Sequence, residues 1–398
     1  MNSSPVVAPM TALAEIVRSA QFAYAYELFQ ASMRQFGPPS FHLAPIFQDG
    51  QRLPVRQTVV AETPFCRLLR FSVGEGKGVQ RMLCAPLAGH RAVVVGDAIE
   101  SMLADADVYV TDWIDARDVP PEAGRFGLDD CVLVLERFMA LLGPANLDVV
   151  AICQGTVPAL AAVARLAASG AREIRALALM GGPLDARLRP TRLGRIAAAM
   201  PVPVFLSNCT GAVPPGYPGA GRVVYPGFLQ LPTLASGQPE RLFSLMLDAL
   251  PYLWLGHRSV DQALRTNAGY GAMMDMPVEF LLDTMRIVFR EYLLPRGLWW
   301  VDGVLVSPAS MRTTRLLTVE GKLDTITGAG QTHATHALCT GLTDRHRAKV
   351  TVPGCDHYDL FCGDVWRNRV YPALRAWLEE PAQCRRSDGS LSRAGLAS

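Results

Sequence analysis

The chain lacks the features that would mark it for nucleic acid, for export or for a membrane. Its 398 residues carry 38 Lys and Arg against 36 Asp and Glu, a formal charge of +2, with no block of five or more like charges. Nucleic acid, which calls for a basic face, is therefore not an expected partner. No C-x-x-C pair occurs, and the nine cysteines, at 66, 84, 131, 153, 209, 339, 355, 362 and 384, are scattered and odd in number. That pattern argues against a disulfide framework and suits a reducing cytoplasm. An apolar run of eighteen residues is missing, and the first twenty residues, with Glu15 and Arg18 among them, show no basic segment followed by an unbroken apolar core. Neither membrane spanning nor secretion is expected. Apolar residues, in contrast, make up 50% of the chain, enough for one large core plus a substantial insertion.

Over residues 10–34, Leu13, Ile16, Val17, Ala20, Phe22, Tyr26, Phe29 and Met33 fall near helical spacing and predict an amphipathic helix. Core packing is the expected use of its apolar face, with docking on a hydrophobic particle as the alternative. After the turn-rich Gly37-Pro38-Pro39-Ser40, extended runs at Thr58–Val60, Cys66–Val73 and Gln80–Ala85 read as the opening strands of a sheet. From there apolar strands (Asp107–Thr111, Leu147–Ile152, Ile174–Met180, Arg315–Val319, Ala348–Val352) alternate with helix-length stretches (Arg91–Leu103, Leu128–Leu142, Thr156–Ser169, Gln331–Leu338, Val365–Leu378). This alternation predicts an α/β fold with a mostly parallel central sheet covered by helices. Between Met180 and Arg315 lies far more chain than a crossover needs. Residues 185–310, rich in Pro, Gly, Met, Tyr and Trp and with a long helix expected over Asp275–Leu294, read as a cap over the carboxyl edge of the sheet. The expected division is an amino-terminal helical segment (1–56), a first core part (57–184), the cap (185–310), a second core part (311–380) and a tail (381–398).

The sharpest local feature is Val149-Val150-Ala151-Ile152-Cys153-Gln154-Gly155-Thr156, an apolar strand running through small-x-Cys-x-small into a helix. This is the form of a nucleophile elbow, in which small residues at Ala151 and Gly155 let neighbouring backbone pass and the helix amino terminus favours a thiolate. The α/β-hydrolase triad follows the chain as nucleophile, acid and histidine, each just after a strand. Here Arg315–Val319 leads into a polar loop ending at Asp324, and Ala348–Val352 leads into Pro353-Gly354-Cys355-Asp356-His357. The expected catalytic residues are thus Cys153, Asp324 and His357. An oxyanion needs two donors: the Gln154 amide is the first, and the turn Ala85–His90 supplies the second from Leu87, with Ala88 as the neighbouring alternative. His90 reads as a residue that orders this loop or borders the substrate. His333-x-x-His336 has ligand spacing but no third ligand nearby, so no metal is expected, and Gly328-x-Gly330 lacks the sequel of a phosphate-binding loop, so no cofactor is expected. Asp112, Asp115, Arg117 and Asp118 read as turn and capping residues, and core packing is assigned to Tyr270, Trp299 and Trp300.

At these residues the sequence resembles the intracellular polyhydroxybutyrate (PHB) depolymerases. The resemblance lies in the Ala85–His90 turn, Asp107–Pro120, Ala151–Pro158, Asp275–Glu279 with Leu293–Gly297, Leu317–Asp324 and Pro353–Tyr358, and runs from about Phe22 to about Trp377. It implies an α/β-hydrolase fold, a Cys, Asp and His triad that falls on Cys153, Asp324 and His357, and hydrolysis of 3-hydroxybutyrate esters in storage granules. The implied partner is a PHB polymer or granule surface in the cytoplasm, with a homodimer as a compatible assembly. Gly155 stands where many members carry Pro, and the stretch Leu184–Val260 matches least, which leaves chain-length and side-chain preference open. Three other functions use the same fold: a polyester-synthase-like acyl transferase, a small-ester hydrolase and a non-catalytic granule-binding protein.

Overall fold

Every residue of Leu147–Ile152 is buried. Leu147, Val149 and Ala151 enter one apolar core, while Val150 and Ile152 enter a second on the opposite face. This is the period of two expected of a strand covered on both sides, and it explains why the run is uniformly apolar. In the computed structural model, which describes residues 19–31, 40–41, 43–48, 51–89, 91–170, 172–230 and 273–379, this strand lies at the centre of an eight-stranded sheet.

In chain order the strands are β1 (Val55–Thr63), β2 (Cys66–Val73), β3 (Gln80–Cys84), β4 (Asp107–Trp113), β5 (Leu147–Ile152), β6 (Ala176–Met180), β7 (Arg315–Gly321) and β8 (Arg347–Val352). Their spatial order is β1-β2-β4-β3-β5-β6-β7-β8. Only β2 runs against the rest, pairing antiparallel with β1 and β4. This order, with helices on both faces, is the α/β-hydrolase fold.

The helices are α1 (19–31), α2 (Gly96–Met102), α3 (Leu128–Leu142), α4 (Thr156–Ala168), α5 (Arg192–Ala199), α6 (Val202–Cys209), α7 (Val278–Thr284) and α8 (Tyr371–Glu379). Residues of α3, α4 and α7 join the core on one face of the sheet, and residues of α2 and α8 join the core on the other. Helix α4 is buried from Thr156 to Leu166 and is built largely from alanine. Small side chains let it lie close between the sheet and α3.

Register sets where the chemistry can sit. Ile152 pairs with Met180, Met180 with Val319, and Gly321 with Val352. The carboxyl ends of β5, β6, β7 and β8 therefore finish side by side, and the segments that follow them emerge along one edge.

Several elements differ from the sequence expectation. The first core strand begins at Val55, ahead of the boundary placed at 57, and the preceding segment carries a hairpin of Ile46–Gln48 with Gln51–Leu53 as well as helix α1. The long helix expected over Asp275–Leu294 is instead a short β pairing at Met276–Pro277, helix α7, and a π turn at Met285–Arg290. Pro277 has no amide hydrogen and sits at the amino cap, so the helix starts after it. The last helix is also divided, with a π turn at Trp366–Val370 ahead of α8. Pro372 cannot donate back to the previous turn, and the ladder widens there. Gln331–Leu338 is helical only from Thr335. Trp299 is buried as expected, but Trp300 is 58% exposed on the hairpin Trp300–Leu305, because successive strand residues point to opposite faces. Tyr270, His90 and the tail from 381 lie outside the described residues.

Candidate active site

Cys153 directly follows β5 and has φ of +53°, one of four non-glycine residues with positive φ among those described. Such a backbone costs on the order of 1–3 kcal/mol and persists only where the surroundings hold it. A single 3₁₀ turn, Cys153–Gly155, leads into α4, and the Thr156 hydroxyl donates to the Cys153 carbonyl at 2.7 Å. A Cβ on Gly155 would lie 2.8 Å from the Cys84 carbonyl oxygen and 3.3 Å from that of Ala85. Glycine is what allows the elbow to sit against the end of β3, where the candidate second donor begins.

Asp324 and His357 come from the neighbouring strand ends. Gly321 closes β7, and a Cβ there would lie 2.6 Å from the Cys355 carbonyl, so its absence lets the histidine loop cross over β7. Backbone bonds from Lys322 to Val352 (3.0 Å) and from Leu323 to Cys355 (2.9 Å) lock the two loops together. His357 is 2% exposed. Its Nδ1 lies 2.8 Å from Oδ2 of Asp324, while Oδ1 of Asp324 accepts from the amides of Ile326 and Thr327, both at 2.8 Å. With three donors around one carboxylate, the imidazole carries its proton on Nδ1, which leaves Nε2 as the basic atom of the ring. Burial of the ring opposes its charged form, but the charge of Cys153 and then that of Asp324, with the hydrogen bond to Asp324, outweigh it and raise the His357 pKa well above the ordinary value.

The sequence did not single out Gly181 and Thr327. Gly181, with φ of +59°, brings the chain after β6 flat against the ring: a Cβ there would lie 3.4 Å from Cε1 and Nδ1 of His357 and 2.7 Å from Leu360. The Thr327 hydroxyl donates to the Gly181 carbonyl at 2.8 Å, tying the acid's loop to that bend. The pair Gly181-Gly182 directly after an apolar strand was the available signal.

Five of the other cysteines are buried away from any such site. Burial pushes the thiols of Cys66, Cys84 and Cys131 up, and those of Cys339 and Cys355 up to about 12, so each stays protonated and inert at neutral pH.

Around the candidate oxyanion loop, the Ala85 amide donates to the Thr111 hydroxyl and the Trp113 indole donates to the Ala85 carbonyl, each at 2.9 Å. Leu87 is buried and Ala88 partly so, and among the described residues neither amide is taken up by a backbone acceptor. The Gln154 side chain turns to the cap, where Nε2 lies 3.2 Å from the Thr284 hydroxyl.

The remaining motifs resolve as structure. His333 and His336 both hydrogen-bond to the Thr318 hydroxyl, at 2.7 and 2.8 Å. Among the described residues there is no group of three or more side chains able to hold a metal, and no helix is long and apolar enough to cross a membrane. Asp112 and Asp118 line a surface cavity of about 460 Å³ with Glu62, Arg67 and Arg91, and none of Cys153, Asp324 and His357 is part of it. Asp115 does cap the turn at Arg117, as expected, but it is also fully buried. There it accepts from the Asp275 amide, while the Asp275 side chain binds the Tyr26 hydroxyl. The loop after β4, the cap and α1 are joined at this point.

A comparison with curated proteins found no match. Among solved structures the chain is similar to a meta-cleavage product hydrolase from Pseudomonas fluorescens IP01 (17% identity, 78% of this chain and 94% of that one, TM-score 0.45). It is also similar to a thermophilic esterase from Thermogutta terrifontis (15%, 82% and 98%, TM-score 0.42) and an enol-lactonase from Burkholderia xenovorans LB400 (11%, 82% and 100%, TM-score 0.43). The fold assignment rests on the strand order above. The family model described as PHB de-polymerase C-terminus matches residues 181–382, half of the chain, and takes in Asp324 and His357 while Cys153 lies ahead of it. The chain therefore belongs to the PHB de-polymerase family, as a carboxylic ester hydrolase built on the α/β-hydrolase fold.

Proposed function

We propose that the protein hydrolyses the 3-hydroxybutyrate ester bonds of PHB granules in the cytoplasm, with Cys153 as nucleophile, His357 as general base and acid, and Asp324 as the group that orients His357. The observation that supports this is His357, held by Asp324 at 2.8 Å and electrostatically paired with Cys153, at aligned strand ends in a member of the PHB de-polymerase family.

In the first half-reaction His357 takes the Cys153 proton, and the sulfur attacks the ester carbonyl. Negative charge collects on the carbonyl oxygen, facing the amides of Gln154 and Leu87. Collapse of this intermediate breaks the C–O bond, and His357 protonates the departing alkoxide, leaving a thioester on Cys153. In the second half, His357 removes a proton from water, hydroxide adds to the thioester, and the thiol leaves with the hydroxybutyrate acid as product. Asp324 holds the imidazole in one tautomer and balances its charge during both halves. No cofactor or metal enters any step.

The test compares initial rates of the purified protein on amorphous PHB granules, on a soluble small ester and on a hydroxyacyl thioester with an alcohol acceptor. The expected result is preferential release of 3-hydroxybutyrate or its oligomers from granules. Preference for the small ester would make it a general esterase, chain growth from the thioester would make it a transferase, and granule binding without turnover would make it a coat protein.

A further inference from the structure

We infer that Thr284, on the cap, is a positioning residue that acts through the side chain of Gln154 on the oxyanion site. This inference rests on the reading of Gln154 as an oxyanion donor, since Gln154 follows Cys153 and its amide hydrogen is the first donor of that site.

Among the described residues the Gln154 side chain is held by a single hydrogen bond. Its Nε2 lies 3.2 Å from the Thr284 hydroxyl oxygen, and that hydroxyl gives its own hydrogen to the Phe280 carbonyl at 2.8 Å. A hydroxyl has one hydrogen, so toward Gln154 the Thr284 oxygen can only accept, and the amide must present NH₂ to it. The consequence is that Oε1 faces away; it is buried and has no partner among the described residues. Removing the Thr284 hydroxyl would leave both ends of this amide unpaired beside the nucleophile, a condition that a buried polar group relieves by moving.

Thr284 is itself well placed to hold the amide still. It is 3% exposed and is the last residue of α7, where the helix widens into the π turn Met285–Arg290. One residue before it, Asp283 accepts from the Leu128 amide at the start of α3, at 3.3 Å. At the far end of the π turn, Arg290 donates to the carbonyls of Ala197 and Met200 at the end of α5. The segment around Thr284 is thus tied to α3 of the core just before the contact and braced against α5 of the same cap beyond it, and at Gln154 the cap touches the elbow. Cys153, at φ of +53°, needs neighbours that fix it. A cap-borne oxygen that clamps the next residue is one of them, and it ties the seating of the cap to the geometry of the oxyanion donor.

The experiment measures kcat and KM for a soluble 3-hydroxybutyrate oligomer ester in wild type, Thr284→Val, Thr284→Ser, Gln154→Leu and the Thr284→Val/Gln154→Leu double variant, with thermal melts of each. Thr284→Val should lower kcat about tenfold with little change in KM, short of the ~10²–10³ lost when an oxyanion donor is removed outright. Thr284→Ser should restore the rate. Gln154→Leu, which keeps its backbone amide and leaves the cap untouched, should reproduce the loss by itself, so the test survives if Thr284→Val folds poorly. The double variant should be no worse than Gln154→Leu alone, because both changes remove one contact. Wild-type kcat in Thr284→Val or in Gln154→Leu, failure of Ser to restore it, or additive losses in the double variant would overturn the inference while leaving ester hydrolysis intact. A wild type that cleaves no ester would overturn the proposed function, and the inference with it.

Discussion

Replacing Asp324 by Asn isolates the orienting role of the acid with almost no change in shape. In the structure Oδ1 of Asp324 already accepts two amides at 2.8 Å, from Ile326 and Thr327, and Oδ2 accepts from Nδ1 of His357 at 2.8 Å. An Asn side chain has one oxygen. Two backbone donors cannot change their chemistry, so the oxygen goes to them and the NH₂ faces Nδ1. The imidazole can change, by moving its proton to Nε2, and then Nδ1 accepts from Asn while Nε2–H confronts the Cys153 thiol as a donor. In that tautomer His357 cannot take the thiol proton. Where this switch has been forced in a triad, the loss is about 10⁴ in kcat, and a decade corresponds to about 1.4 kcal/mol. Asp324→Asn should therefore raise the barrier by on the order of 5–6 kcal/mol, with KM nearly unchanged because the acid acts on the imidazole and not on the ester. The assay is steady-state hydrolysis of a soluble 3-hydroxybutyrate oligomer from pH 6 to 9, with thermal melts to establish equal folding. An Asn variant within tenfold of wild type would refute the tautomer argument.

Three further outcomes follow from the packing and the charges. Gly155→Ala puts a Cβ 2.8 Å from the Cys84 carbonyl oxygen; the end of β3 must move away, lowering stability by about 1–3 kcal/mol and kcat together, read by denaturant melts and kinetics. Unchanged values in both would show that β3 does not press on the elbow. In Cys153→Ala the leading cause that raises the His357 pKa is removed, so its Cε1 proton should titrate at lower pH by NMR than in wild type, and an unchanged titration would separate the two residues. Burial raises the Asp115 pKa to about 7 from 3.8, with Asp275 adding to it. A carboxyl raised in the folded state makes folding less favourable as pH climbs through that window. Asp115→Asn keeps the oxygen that accepts from Asp275 and Arg117, and should stabilise the protein by on the order of 2 kcal/mol at pH 8 but little at pH 4. A gain of equal size at both pH values would argue against an ionised Asp115.

The placing of Cys153, Asp324 and His357 side by side was legible because each lies in the segment after an apolar strand, and parallel strands in register bring their ends together. The core helices α3 and α4 were legible from apolar spacing alone. What escaped has no local signature. Nothing around Gln154 announces Thr284, more than a hundred residues away on the cap, and nothing around Asp115 announces Asp275 and Tyr26, because contacts between distant segments are set by tertiary packing. The break of the expected Asp275–Leu294 helix at Pro277 was readable in principle, whereas its widening after Thr284 was not. Trp300 was assigned to the core by its chemistry, but the period of the hairpin turns it outward while Trp299 is buried and donates to Asp129 at 2.8 Å.

The most direct test of Cys153 as the nucleophile of a PHB-hydrolysing enzyme is release of 3-hydroxybutyrate and its oligomers from amorphous PHB granules by wild type and by Cys153→Ala of equal thermal stability. Release by wild type that disappears in the variant is the predicted result. Release that persists in Cys153→Ala would contradict the assignment of the nucleophile, and no release by wild type would contradict the substrate.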